Sequence, residues 1–196
     1  MAIFKKYYSK QGLWTLFLMC ALPLHLWTFF LAFRDFDWIS ERTNSWDAVG
    51  VIAYGLIFAL TESVIVFITA GILGFLISAK WDEKRRIALM SVLVTILSLW
   101  SIFNQTYFLR QMPPPDWFIS IAIQTGRPLV FLYLLALTAI TISVIVPTYL
   151  TLNSDKTIQA IREGTERLSL LMAMYLVFDF GALIIILVRN FRGIIR

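Results

Sequence analysis

The chain has 196 residues and a formal net charge of +5, yet only 15% of its residues are charged while 59% are hydrophobic. Soluble domains carry about 25% charged residues, so a water-soluble globule of this composition could not cover its own surface. The single cysteine, Cys20, excludes an intramolecular disulfide, and the single histidine, His25, excludes a bis-histidine haem site and argues against a zinc site built from His and Cys.

The charges fall in short bursts between long apolar runs, the signature of transmembrane helices. The basic excess lies beside the ends of those runs, where it meets lipid headgroups rather than nucleic acid. The expected fold class is all-α: a polytopic membrane helical bundle forming one integral membrane domain over residues 1–196, with about five transmembrane helices and one short interfacial or re-entrant segment. No cofactor or metal is expected.

Lys5, Lys6 and Lys10 precede the first apolar run, residues 13–33. The run is too long for a signal-peptide core and no small-residue cleavage site follows it, so it reads as a retained helix, kinked at Pro23. Residues 34–47 read as a polar loop with Trp38 and Trp46 at headgroup level. Asn44 is placed to cap the next helix, with Asp47 in its first turn.

The second run, residues 48–78, would be roughly 46 Å long as a helix against a hydrocarbon core of about 30 Å, so it must tilt, bend or project. It carries a small-residue stripe, Gly55, Ala59, Ser63, Ala70, Gly74 and Ser78, spaced for close helix packing. That stripe makes it the expected centre of the bundle and the expected route to a protein partner or a second copy. Glu62 lies seven residues after Gly55, nearly on the same face, and is expected to point into protein.

The third run, residues 87–109, ends before Pro113, Pro114 and Pro115, a stiff extended spacer. Ser91, Thr95, Ser98, Ser101 and Gln105 share about a third of its circumference. They read as interhelical hydrogen-bonding groups or as the lining of a hydrated cavity. Residues 117–125 form the interfacial or re-entrant segment. The fourth run, residues 128–152, starts at Arg127, whose guanidinium either snorkels at the interface or holds an anionic headgroup. Residues 153–167 read as an amphipathic extension, capped by Asn153 or Ser154, leading into the fifth run, residues 168–188.

That last run contains Asp179 at its centre. A central Asp costs roughly 2.5–3.5 kcal/mol on the insertion scale, whereas the thirteen Leu, Ile, Phe and Val residues of the run return roughly 4–8 kcal/mol. Insertion wins. Basic residues set the orientation: a cytoplasmic N-terminus puts Lys80, Lys84, Arg85, Arg86, Lys156, Arg162 and Arg167 inside with the N-terminal lysines, and Arg34, Arg42, Arg110, Arg127, Arg189, Arg192 and Arg196 outside. The early loops favour that arrangement and the arginine-rich tail opposes it.

Three ionisable residues, His25, Glu62 and Asp179, fall near mid-membrane, where such groups are expensive and usually face the bundle interior. They read as a proton or cation relay if they meet, and as separate interhelical hydrogen bonds if they do not. Tyr175, one turn before Asp179, is the expected hydrogen-bond partner of that carboxyl. Catalytic templates are absent: the sequence has no GxSxG, HExxH, GxxxxGK[ST] or GxGxxG motif. The leading functional expectation is a non-enzymatic accessory or structural subunit of a membrane assembly. The alternative is a small proton- or cation-coupled carrier built on the mid-membrane carboxylates, and the third is a membrane-embedded enzyme acting on a lipid-type substrate.

Overall fold

The structure is a computed structural model that describes residues 7–77, 81–111 and 113–194, with backbone alone at residues 108, 110, 169, 170, 172 and 192–194. Among the described residues there are six helices and no strand. They are α1 (Lys10–Arg42), α2 (Ser45–Phe75), α3 (Glu83–Arg110), α4 (Asp116–Gln124), α5 (Pro128–Asn153) and α6 (Asp155–Ile194). Five of these, all but α4, contain stretches long and apolar enough to cross a membrane. The protein is therefore built as a multi-pass membrane helical bundle.

The long helices run alternately up and down. Ser9, the N-cap of α1, accepts from the Gly12 amide and donates through both its amide and its hydroxyl to Glu83 at the start of α3. At the same end Arg86 is buried, donating to the Tyr7 carbonyl with its guanidinium 4.7 Å from the Tyr7 ring. Tyr8 donates to the Gly71 carbonyl near the end of α2 and stacks edge-on against Phe75. Burial raises the Tyr8 phenol above its usual range despite the opposing Arg86 charge, so it stays a donor. At the far end Arg189 of α6 donates to the Trp46 carbonyl and to Asp47 at the start of α2.

Two features differ from the sequence expectation. Residues 34–47 are not a loop: α1 continues to Arg42, and Thr43 and Asn44 alone separate it from α2. The polar composition there reflects helix projecting beyond the apolar run, closed by the Thr43 amide on the Ile39 carbonyl. Asn44 then caps α2, its side chain accepting from the Asp47 amide and donating to the Asp47 carboxylate.

The centre of the bundle is shared by α1 and α2. α1 packs against α2, α3 and α6, and α2 lies chiefly against α1 and α6. The small residues of α2 allow this approach: Ala59, Ser63, Ala70 and Gly74 are buried, and Gly55 faces Thr28 of α1. Ala70 joins Leu16 and Cys20 of α1 in the largest buried cluster. The stripe is thus occupied within the chain; Ser78, its last member, lies outside the described residues.

The short segment is the helix α4, packed on α5 through Phe118 and Phe131 and entered from extended Pro115. It ends at Gly126, whose φ of 69° is open to glycine at little cost. Asp155 to Arg167 is continuous with the last crossing, so α6 is 40 residues long. Its first turns are amphipathic and start at Ser154, which accepts from the Thr157 amide.

A Cβ placed on Gly74 would collide with the Tyr8 hydroxyl, whereas one on Gly71 meets nothing. Gly74→Val is therefore expected to lower unfolding stability by about 1–3 kcal/mol, and Gly71→Ala to leave it unchanged or raise it by up to about 1 kcal/mol. Denaturant titration of the helical signal in mixed micelles separates the two.

Candidate functional site

His25 and Asp179 meet at the middle of the bundle. His25 is 0% exposed and Asp179 3%. The ring Nε2 lies 3.0 and 3.1 Å from the two carboxylate oxygens, and Nδ1 lies 2.8 Å from the Ala21 carbonyl. A carbonyl only accepts, so Nδ1 carries a proton. Nε2 and a bare carboxylate would oppose lone pairs, so one further proton sits between them. Whichever atom holds that proton, the pair is neutral overall. Two residues that are each costly in lipid become a neutral, hydrogen-bonded link between α1 and α6.

Tyr175 is buried beside this pair, but not as the partner of Asp179. Its ring stacks on the imidazole at 5.6 Å with an interplanar angle of 6°. One turn of α6 brings Tyr175 level with the imidazole rather than the carboxylate, and His25 occupies both carboxylate oxygens.

Glu62 is elsewhere. It is exposed, and it lines a groove of about 480 Å³ formed by α1, α2 and α3 with Val144 of α5. The expectation that it points into protein fails because Gly55 sits at the rim of the buried face. That face centres on Leu56, Ser63 and Gly74, and the single step from Ser63 to Glu62 turns the helix by about 100°. No contact joins Glu62 to Asp179 or His25 among the described residues. The three mid-membrane groups therefore form one closed pair and one carboxylate in a groove.

The polar row of α3 divides in the same way. Ser91 is buried, and Thr95 donates back to its carbonyl. Ser98, Ser101 and Gln105 face Glu62 across the groove. None of these four has a hydrogen-bond partner among the described residues. Elsewhere in the spans Thr61, Ser63, Thr69 and Thr138 donate to the carbonyl four residues back. Pro23 lies in the groove floor and, lacking an N–H, leaves the Met19 carbonyl without its helical donor.

Arg127 occupies the N-cap position of α5, exposed and without a side-chain partner among the described residues. Two acidic residues at the end of α1 and the start of α2 are paired, Asp35 with Arg34 and Asp47 with Arg189. The described residues contain no group of three or more His, Cys, Asp or Glu side chains placed to hold a metal ion. The sequence reading missed Arg86, taken as part of a surface basic run; the adjacent aromatic pair Tyr7 and Tyr8 was the available signal for a buried guanidinium. It also missed the bond from Trp100 of α3 to Ser143 of α5, which nothing in the local pattern announces.

Comparison with protein-family models, curated proteins and solved structures gives no match for this chain.

His25→Leu and Asp179→Leu are each expected to lower stability by about 2 kcal/mol or more, because each leaves a buried polar group without its partner. The double substitution should cost less than the sum. A double-mutant cycle from unfolding titrations reads the coupling, and additive losses would contradict a paired role.

Proposed function

We propose that this protein is a non-enzymatic accessory subunit of a membrane assembly, oriented with its N-terminus in the cytoplasm and docking through α5. The observation that carries the reading is how little of α5 its own chain covers. Its apolar window contains no buried residue, unlike those of the other four spans. Its interhelical hydrogen bond to α3, Trp100 to Ser143, joins one face only.

Helices in a bilayer associate through packing and interhelical hydrogen bonds, because lipid is as apolar as the helix surfaces. A crossing held this thinly from within has most of its surface left for another protein. Thr141 adds a polar cue: it is exposed on α5, and its hydroxyl has no partner among the described residues. A carrier using His25, Glu62 and Asp179 together would need one shared site, and only His25 and Asp179 come together. The orientation rests on the basic residues of the early loops.

Extraction in digitonin or directly into lipid nanodiscs should recover a second protein in fixed stoichiometry. A photo-reactive residue at Thr141 should cross-link to it, while one at Ile68, exposed on α2, should not. Recovery of the chain alone under every gentle extraction would overturn the reading.

A further inference from the structure

The groove holding Glu62, which Val144 of α5 also lines, has a chemistry of its own. Its wall on α3 runs from Met90 to Gln105, about 22 Å along the helix axis at 1.5 Å per residue. The groove, of about 480 Å³, is drawn out along the helices, a shape that suits a single extended hydrocarbon chain. Ile65, Leu73 and Leu97, all exposed along the rim, leave it open sideways to lipid.

The polar groups in the groove are complementary to one kind of headgroup. An ionised Glu62 only accepts, and Ser98, Ser101 and Gln105 each present an acceptor oxygen beside their own donors. No lysine, arginine or histidine lines the groove. The pairing of α1 with both neighbours fixes the register: Tyr8 reaches Gly71, Phe17 meets Phe67, and Ser9 meets Glu83. Extended along the axes, these contacts put Glu62 and Ser98 within about one turn of each other across the gap. A carboxylate facing an apolar span is costly unless a donor or water meets it. Trp27 contributes an aromatic surface to the same groove, which also favours a cation.

We propose that the groove binds a single-chain amphiphile carrying a protonated primary amine. Its alkyl chain lies along α1 between α2 and α3, and its ammonium donates to the Glu62 carboxylate and the Ser98 hydroxyl.

The test uses the full chain in lipid nanodiscs with three probes of equal chain length: dodecylamine, dodecanol and dodecanoate. Native mass spectrometry reads the fraction of 1:1 adduct. Partition into lipid is common to parent and variant and drops out of the comparison. The parent should form the dodecylamine adduct saturably and in preference to the other two, and Glu62→Gln should weaken it at least tenfold while leaving the thermal midpoint intact. If Glu62→Gln does not fold, the double variant Ser98→Leu, Ser101→Leu, which fills the groove and keeps the carboxylate, must abolish the adduct. Absence of a saturable amine adduct, equal binding of dodecanol, or an adduct unchanged in the folded variant would overturn the proposal.

Discussion

The proton shared by His25 and Asp179 is the interaction on which the bundle turns. Each group alone at mid-membrane would oppose insertion of its own helix; together they are neutral, satisfied and buried. The imidazole is fixed from both sides, by the Ala21 carbonyl on its own helix and by the carboxylate from α6, while the Tyr175 ring lies flat against it. The link sets the rotation of α1 about its axis. That rotation decides which residues of α1 face α6 and which, Pro23, Trp27 and Thr28 among them, are turned into the groove on α2 and α3.

The remaining polar links repeat the pattern at other depths. Ser9 with Glu83 and Arg86 with Tyr7 join the N-terminal segment to α3 at one end, and Arg189 joins α6 to the start of α2 at the other. Apolar surface gives helices in lipid no reason to prefer each other over the solvent, so geometry falls to small residues and to hydrogen bonds. Gly74 under Tyr8 and Gly50 under the Arg189 guanidinium show the two working together. At both places the missing side chain makes room for a group that forms one of the links.

The class of fold and the number of apolar crossings were legible because they depend on composition and run length. So were the cap at Asn44 and, as one of two candidates with Asn153, the cap at Ser154, which depend on neighbours three residues away. Pairing was not. His25 and Asp179 stand 154 residues apart, and no local pattern encodes which of three ionisable groups finds which. The small-residue stripe was read correctly as a packing face, but its partner, α1, has no matching stripe to identify it. Glu62 was misplaced by a single helical step, because its face was reckoned from Gly55, which sits at the rim of the buried face. Residues 34–42 were misread because polar composition marks departure from the hydrocarbon, and a helix can leave the hydrocarbon without ending.

The distance between His25 and Asp179 along the chain also bears on how the protein is made. Chains emerge N-terminus first, and α1 can fold back on α2 as soon as Thr43 and Asn44 have been passed. The imidazole therefore enters the bilayer long before its carboxylate exists. Until α6 arrives, the nascent protein holds at mid-depth an imidazole whose Nε2 has no carboxylate to meet. The bond that fixes the bundle therefore cannot form until α2 to α5 have already been made.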